Sequence, residues 1–320
     1  EISSLSPASA GLFPFWRAER QKHMQQINWY PGHMAKAKRM LQENIKLVDA
    51  VAEIVDARAP AATRNPDFDG ILKTRERIVF LNKADLADPA LCKAWIRQYE
   101  SQGIQAAAIV STGAAMKKQA MALLQRATAE KVARMQAKGI RKTVRIMVVG
   151  IPNAGKSTFI NRIAGENRAQ TGDRPGVTRS KQWVKVGPYL ELMDSPGLLW
   201  PKLEDQRLAR HLAYIGSIND EIMDVESLSE SLLSELYALC PEKLLERYPK
   251  LLLRQGEEDF TFLEGVARSR GFLLPGGLAD TERAARVALD EYRGGKIARI
   301  TWETPGAEEA PLPEEPAAEE

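Results

Sequence analysis

The chain has 320 residues, enough for about two domains, and its 44% hydrophobic and 27% charged residues are ordinary for a globular protein. No apolar run approaches the roughly 20 residues that a membrane-spanning helix needs, so we expect no membrane partner. The only two cysteines, Cys92 and Cys240, exclude a disulfide scaffold and are expected to be reduced thiols.

The formal net charge of +3 is unevenly distributed. The segment from Glu303 to Glu320 contains seven Glu and no Lys or Arg, so the rest of the chain carries a net charge of +10. A basic body indicates a polyanionic partner, although a merely solvated cationic surface is the alternative. The Pro-, Ala- and Glu-rich composition predicts a disordered acidic tail at residues 301–320.

Residues 1–26 show no clear periodicity and predict a poorly ordered N-terminal extension. The segment is Ser-rich and acid-poor, which leaves an organelle-targeting presequence open. The predicted location is therefore the cytoplasm, with the mitochondrial matrix as the alternative.

Strand and helix patterns alternate from residue 48 to residue 194. Short apolar runs predict buried strands at 48–57, 77–83, 105–111 and 144–150. Helical spacing predicts helices at 89–102 and 117–138, and a hairpin is predicted over 182–194, turning at Gly187 and Pro188. This alternation predicts an α/β domain at residues 27–204, with a mainly parallel sheet and helices on both faces.

The pattern after residue 204 is helical, with little strand signal. Helices are predicted at 205–216, 227–240, 242–248 and 282–293. These predict a separate all-α domain at residues 205–300.

The segment 150–157, "GIPNAGKS", fits the pattern G-x-x-x-x-G-K-[ST] between a predicted strand and a predicted helix. Chance matches to this pattern occur, but the flanking elements favour a phosphate-binding loop. Its glycines let successive N–H groups point at phosphate oxygens, and the helix N-terminus adds its positive dipole end. The predicted phosphate-binding residues are Asn153, Ala154, Gly155, Lys156, Ser157 and Thr158, of which Lys156 is also expected to act in catalysis.

A second segment, "DSPG" at 194–197, ends a predicted strand and supports a magnesium triphosphate site. Ser157 is expected to ligate Mg²⁺ directly and Asp194 through water, while the Gly197 N–H meets the γ-phosphate. Thr178 is the candidate switch threonine that completes the metal shell, and Thr171 competes for that role.

The segment "NKAD" at 82–85 predicts that the nucleotide carries guanine. The Asp85 carboxylate can accept hydrogen bonds from the N1–H and the exocyclic amine of guanine, a donor pair that adenine lacks. Asn82 is expected to brace the loop, and the stem of Lys83 can lie against the base. Ser111 and Thr112 are the candidates for backbone N–H contacts to guanine O6.

The base-reading motif precedes the phosphate motif, which reverses the usual order in GTP-binding proteins. A fold tolerates this if its original ends are joined and new ends open elsewhere. The new break would fall just after "DSPG", so the helical domain would follow directly from the segment that senses the γ-phosphate. We expect residues 197–205 to transmit nucleotide state to that domain.

The order of these motifs resembles that of circularly permuted GTPases. The span that includes "NWYPGHMAKAKRML", "DARAP", "LNKAD", "GIPNAGKS", "TGDRPGVT" and "DSPGLLWPK" is similar to the YlqF/RbgA ribosome-biogenesis GTPases, over about residues 27–300. The resemblance implies a GTPase in late assembly of the large ribosomal subunit, stimulated by the particle, whose helical domain contacts ribosomal RNA. We expect a monomer that binds GTP and GDP.

Two alternatives stay open on the residues alone. One is a GTP-dependent RNA-binding scaffold with negligible hydrolysis, because Leu198 stands where many GTPases place a water-orienting Gln. The other is a permuted GTPase that acts on the small subunit or another RNA.

His33 and a potassium ion are the candidates for assisting the attack on GTP. An imidazole at His33 could orient water, or it could cap its helix or pack on Trp29, and the resemblance assigns this histidine to catalysis. The resemblance also implies K⁺ stimulation, with the side-chain oxygen of Asn153 as a ligand. The alternative is that Asn153 only supports its loop.

Overall fold

The computed structural model describes residues 32–72, 75–139, 143–165, 183–199, 205–220, 223–251 and 261–306. The predicted extension at 1–26 and the part of the predicted tail after residue 306 lie outside these ranges. The chain divides into two compact units. We call residues 29–218 with 298–306 the sheet unit, and residues 219–297 the helical unit.

One sheet forms the centre of the sheet unit. Its strands are β1 (Ala50–Asp56), β2 (Glu76–Asn82), β3 (Gln105–Ala108), β4 (Val144–Val149), β5 (Trp183–Lys185) and β6 (Leu190–Asp194). They are arranged in the order β3-β2-β1-β4-β6-β5. Every neighbouring pair is parallel except β5 and β6, which form the antiparallel hairpin that the sequence predicts. The predicted mainly parallel α/β fold is confirmed.

The direction in which the chain adds strands to the sheet reverses between β1 and β4. β1 and β4 lie side by side, with Ala50 opposite Ile146 and Glu53 opposite Val149. β2 and then β3 are added on the outer side of β1, whereas β6 and then β5 lie on the outer side of β4. Such a reversal leaves a crevice at the carboxyl ends of the two central strands, where open parallel sheets bind ligands.

Helices cover both faces of this sheet. The helices of the sheet unit are α1 (Gly32–Asn44), α2 (Asp67–Ile71), α3 (Pro89–Ser101), α4 (Met116–Ala137), α5 (Lys156–Ala164) and α6 (Gln206–Tyr214), of which α3, α4 and α5 contact the strands. On one face, Tyr99 of α3 packs in an apolar cluster with Val79 and Leu81. Phe80 points the opposite way, because side chains alternate along a strand, and its ring lies 4.9 Å from that of Phe159 in α5.

The helical unit contains α7 (Val225–Leu239), α8 (Pro241–Arg247), α9 (Phe262–Arg270) and α10 (Thr281–Arg293). Leu232 and Leu236 of α7 and Ala288 of α10 are buried where these helices pack together. The sequence predicts α7, α8 and α10 but not α9. No described helix in either unit combines the length and apolar composition that a bilayer crossing needs.

The boundary between the units differs from the predicted one at residue 204. Helix α6 and the residues through Ile218 belong to the sheet unit, and the chain returns to that unit at Ala298. Thr301 and Glu303 are buried and hydrogen-bonded, so the order of the chain extends past residue 301, where the sequence predicted disorder. Periodicity predicts that α6 has a buried face, but it does not identify the core against which that face packs.

Candidate functional site

The loop between β4 and α5 has the geometry of a phosphate-binding loop. Gly150 has φ 147° and Gly155 has φ 98°, which are left-handed values that favour glycine. A Cβ at Gly150 would meet the carbonyl oxygen of Ile54, and a Cβ at Gly155 would meet the side chain of Asn82. Because α5 begins at Lys156, the first N–H groups of this helix face the loop and are available to an anion.

Lys156 is buried at the start of α5. Its Nζ donates a hydrogen bond to the carbonyl oxygen of Ile151 at 2.7 Å. Burial lowers the pKa of Lys156 to about 8, although the nearby Asp194 carboxylate acts in the opposite direction. An incoming phosphate would supply the counter-charge that this buried ammonium group needs, so the residue is suited to phosphate binding.

Two oxygen donors lie beside the phosphate loop and fit a magnesium ion. The Ser157 hydroxyl donates a hydrogen bond to Asp194 Oδ2 at 2.8 Å, and both residues are at the carboxyl edge of the sheet. Mg²⁺ typically takes one or two protein oxygens together with substrate phosphates and water. Among the described residues, no group of three or more His, Cys, Asp or Glu could hold a metal ion.

The segment after β6 lies directly on the phosphate loop. A Cβ at Gly197 would come within 2.8 Å of the Pro152 nitrogen, so only glycine fits there without a shift. The Leu198 N–H donates to the Gly150 carbonyl oxygen at 3.3 Å, and the Leu198 carbonyl accepts from Asn65 Nδ2 at 2.9 Å. The Leu198 side chain is buried, so it packs in the core rather than orienting water.

Asn82 joins the base-reading segment to the phosphate loop. Its Nδ2 donates to the carbonyl oxygen of Ala154 at 2.9 Å, and its Oδ1 accepts from the Ser111 N–H at 3.0 Å. One buried side chain thus fixes three loops, those that follow β2, β3 and β4. The predicted bracing role of Asn82 has this geometric basis, whereas the Ser111 N–H is already engaged by Asn82.

Lys83 and Asp85 both follow β2, but only Lys83 is ion-paired to another described residue. Lys83 has φ 58° and ψ 34°, a left-handed conformation that is uncommon for a side chain other than glycine. Its Nζ lies 2.8 Å from Asp56 Oδ2. Asp85 and Thr112 are exposed at the same edge of the sheet. Asp85 makes no hydrogen bond or ion pair with the described residues, so its carboxylate is available to a ligand.

Asn153 lies in the phosphate loop with φ 58°, and its side chain is exposed. Its Nδ2 donates to the carbonyl oxygen of Gly216 at 2.8 Å, just after α6. Asn153 therefore supports its loop through its amide nitrogen, while its Oδ1 atom can still accept a hydrogen bond or bind a cation.

Thr158 is half-buried in the first turn of α5.

Three predicted site residues cannot be placed with their side chains. His33 is the second residue of α1, but the side chains of residues 32–35 lie outside the description. Thr171 and Thr178 belong to the stretch 166–182, which is also outside it. The structure brings together the other predicted residues at the carboxyl edge of the sheet.

Sequence reasoning missed the cluster of charged side chains around Asp56, the last residue of β1. Asp56 accepts from Arg58 Nε at 2.9 Å and from Lys83, and all three meet at the end of the strand. Burial alone would raise the pKa of Asp56, but Arg58 and Lys83 outweigh it and hold that pKa well below its ordinary range. A second acidic residue, after Glu53, at the end of a mainly apolar strand is the signal that could have identified Asp56.

The chain matches a family model described as 50S ribosome-binding GTPase over residues 145–245. It is 45% identical over 289 residues to Ribosome biogenesis GTPase A of Priestia megaterium, covering 89% of this chain and 99% of that protein. It is 32% identical over 282 residues to the protein of the same name from Thermotoga maritima, covering 87% and 95%.

Two solved structures are also similar to this chain. The GDP-bound structure of TM YlqF matches with a TM-score of 0.59 and 28% identity, over 83% of this chain and 99% of that chain. The GNP-bound YlqF from T. maritima matches with a TM-score of 0.58 and 27% identity, over 85% and 99%. The fold of the chain is therefore similar to that of proteins whose structures were solved with a bound nucleotide.

Proposed function

The chain belongs to the ribosome biogenesis GTPase A family, YlqF/RbgA, and from this we propose that it hydrolyses GTP in a late step of large-subunit assembly. That it is a GTPase of ribosome assembly follows from the family. The hydrogen bond from Asn82 to Ala154 carries the site assignment, because it joins the base-reading and phosphate loops into one pocket. Membership in a GTPase family argues against a scaffold that does not hydrolyse GTP.

Guanine is bound at the carboxyl ends of β2 and β3. Asp85 accepts from guanine N1–H and the exocyclic amine, and the exposure of its carboxylate supports this role. Lys83 lays its stem against the base while its ammonium group stays on Asp56. Thr112 supplies the N–H for guanine O6, while Ser111 holds the loop through Asn82.

The triphosphate is bound by the loop at 150–157 and by the Gly197 N–H. Lys156 contacts the β- and γ-phosphates, and Ser157 and Asp194 hold Mg²⁺, which is typical of GTPases and neutralises charge on the phosphate oxygens. Thr178, or in its place Thr171, completes the metal shell.

His33 orients the attacking water, because the residue after Gly197 is a buried leucine that cannot do so. Asn153 Oδ1 would help to hold K⁺, whose positive charge would stabilise the charge that develops on the phosphate oxygens in the transition state. The bond from Asn153 to Gly216 is compatible with this role, because it uses only the amide nitrogen.

The nucleotide domain is circularly permuted, and the helical unit responds to the bound nucleotide. The base-reading loop precedes the phosphate loop in the chain, yet the two lie side by side. The chain continues from Gly197 through α6, and Asn153 in the phosphate loop bonds the turn that ends α6. In this scheme the GTP-bound form binds the assembling particle, and hydrolysis of GTP leads to release.

The partner is the large ribosomal subunit and its RNA, bound by a monomer in the cytoplasm. The description of the matching family model supports the 50S particle over the small subunit. Cations on α1, on α4 and at the residue that ends α4 are exposed or half-buried and suit RNA phosphates: Lys36, Lys38, Arg39, Arg126, Lys131, Arg134 and Lys138.

Sedimentation with separated subunits tests this proposal. With a non-hydrolysable GTP analogue and K⁺, the protein should pellet with large subunits and not with small ones, and GDP should release it. Large subunits should also raise the rate of GTP turnover. Equal pelleting with both subunits, or turnover that large subunits leave unchanged, would contradict the assignment.

A further inference from the structure

The chain returns to the sheet unit as a segment that we call the strap, residues Ala298–Gly306. It contains no helix or strand, yet Thr301 and Glu303 are buried. Because the chain leaves the sheet unit after Ile218 and re-enters at Ala298, the helical unit is inserted between α6 and the strap. An irregular segment is held by specific bonds, and the partners of those bonds indicate what the segment does.

Thr301 joins two loops that flank the base-reading segment. Its hydroxyl donates to the carbonyl oxygen of Ala57, just after β1, at 2.9 Å. The same hydroxyl accepts from the N–H of Asp88, just before α3, at 3.2 Å. Arg299, although exposed, donates to the carbonyl oxygen of Ala84 at 3.2 Å, between Lys83 and Asp85. The strap therefore contacts the chain before, within and after the guanine-reading loop.

Trp302 and Glu303 extend this attachment. The Trp302 N–H donates to the carbonyl oxygen of Arg58 at 2.8 Å. The Glu303 carboxylate accepts from the Ala61 N–H at 2.8 Å and contacts His211 Nδ1 at 2.9 Å. The loop that follows β1 is thus held along its length by the strap.

That loop in turn holds Lys83. Asp56 Oδ2 lies 2.8 Å from both Lys83 Nζ and an Arg58 guanidinium nitrogen, and Asp56 is fully buried. Arg58 Nη2 also donates to the carbonyl oxygen of Ile215, after α6. Lys83 sits in a left-handed conformation that its surroundings must enforce. A shift of the carboxyl end of β1 and of the loop that follows it would release both the ammonium group and the strained backbone of Lys83.

We propose that the strap is a specificity-determining part of the guanine site, in which Thr301 is a positioning residue that acts on Lys83 and Asp85 through the carboxyl end of β1 and the loop that follows it. This inference rests on the proposed guanine site. It makes base recognition depend on a segment more than 200 residues away in sequence, on the far side of the inserted helical unit.

Substitutions in the full-length protein test the inference. Thr301→Val keeps the shape of the side chain and removes both hydrogen bonds, while Thr301→Ser keeps the hydroxyl. We expect Thr301→Val to weaken GDP affinity about tenfold, the order expected for losing a buried hydrogen-bonded link, and Thr301→Ser to restore it. Arg299→Ala should weaken it about twofold. Affinities for GDP, IDP, ADP and inorganic pyrophosphate are measured by competition.

The base dependence separates positioning from general damage. IDP lacks the exocyclic amine that Asp85 is proposed to bind. If the base-reading loop is misplaced, the affinity for GDP should therefore fall closer to the affinity for IDP, while the affinity for pyrophosphate stays unchanged. Thr261→Val, which removes a hydroxyl that caps α9 in the helical unit, is the matched control and should change none of these affinities.

Two results overturn the inference about the strap. One is that Thr301→Val binds GDP with wild-type affinity and keeps the wild-type ratio of GDP affinity to IDP affinity. The other is an equal loss of GDP and pyrophosphate affinity, which would show a merely structural role. If instead the wild-type protein binds ADP as well as GDP, the guanine site itself fails, and the inference fails with it for that separate reason.

Discussion

Buried polar groups have different roles in the sheet unit and in the helical unit. In the sheet unit they connect loops far apart in sequence, as in the bonds from Asn82 to Ala154 and from Asn65 to Leu198. In the helical unit the largest such cluster converges on Glu291, which accepts hydrogen bonds from Arg247, Tyr248 and Arg270. The first arrangement fixes the positions of loops, and the second anchors helices to one another.

The comparison indicates that the two units should respond differently to substitution. Removing a loop-to-loop bond should weaken nucleotide binding more than it lowers the free energy of unfolding, because the strands of the sheet unit are fixed by their own ladder and apolar core. Removing the Glu291 anchor should lower the stability of the helical unit and leave nucleotide affinity unchanged.

The largest expected effect is that of Lys156→Met. The buried ammonium group is the main positive charge that the phosphate loop offers, so its loss should reduce GTP turnover about 100-fold or more. Single-turnover hydrolysis measures the rate, and circular dichroism checks the fold. Lys118→Met, at an exposed position on α4, should keep wild-type turnover, and a comparable loss there would remove the special role of Lys156.

Glu291→Gln should lower the stability of the helical unit by about 2 kcal/mol, because it removes a nearly buried charge bonded to two guanidinium groups. Hydrogen exchange of amides in α7 and α10 measures the change. The control is Glu282→Gln, which breaks an exposed ion pair with Arg286 and should change protection very little. Weakened GDP binding in Glu291→Gln would contradict the separation of the two units.

Glu291 also predicts how acid affects the helical unit. Burial would raise its pKa, but the hydrogen bonds from Arg247, Tyr248 and Arg270 outweigh burial and lower the pKa to about 2. A depressed folded-state pKa contributes stability that is fully present above the ordinary glutamate pKa, about 4.3, and is lost as the pH falls toward 2. Protection of α10 should therefore decline over that window in the wild-type protein, and the decline should be smaller in Glu291→Gln.

Asn82→Ala should weaken GDP affinity about tenfold, because it unfastens the base-reading loop from the phosphate loop and from Ser111. Binding is measured by titration with a fluorescent GDP analogue, and thermal unfolding reports any loss of stability. Unchanged affinity would show that the two loops hold their positions without Asn82.

The smallest predicted effects come from two matched helix caps. Asp205 caps α6 in the sheet unit, accepting from the Arg207 N–H at 2.8 Å, and Asp224 caps α7 in the helical unit, accepting from the Glu226 N–H at 3.1 Å. Replacing either by Ala should destabilise its own helix by about 1 kcal/mol. Hydrogen exchange should locate each loss in the first turn of that helix, and a loss that spreads into the other unit would contradict their independence.

Much of the sheet unit could be predicted because strand ends carry local signals. The apolar runs before Asn82 and Gly150 predict buried strands, and the glycine and lysine spacing of 150–157 predicts the phosphate loop. The strap could not be predicted in this way. Its bonds join single side chains such as Thr301 to distant backbone groups, and no periodicity records such contacts.

The unit boundary and the Lys83–Asp56 pair were missed for related reasons. Helix α6 has an amphipathic pattern that suits either unit, so its core is decided by tertiary packing. The "DARAP" segment contributed only to the family resemblance. The burial of Asp56 between Arg58 and Lys83 depends on how the segments that follow β1 and β2 are placed relative to each other. Sequence patterns identify elements, whereas these pairings depend on topology.

Nucleotide selectivity of the wild-type protein and of Asp85→Asn tests most directly whether two distant segments form one guanine nucleotide pocket. An Asn amide can donate to the C2 carbonyl of xanthine, which replaces the exocyclic amine of guanine. We predict that the wild-type protein binds GDP far more tightly than ADP or XDP, and that Asp85→Asn loses GDP affinity and gains XDP affinity. Equal binding of ADP and GDP by the wild-type protein, or unchanged selectivity in Asp85→Asn, would contradict the pocket described above.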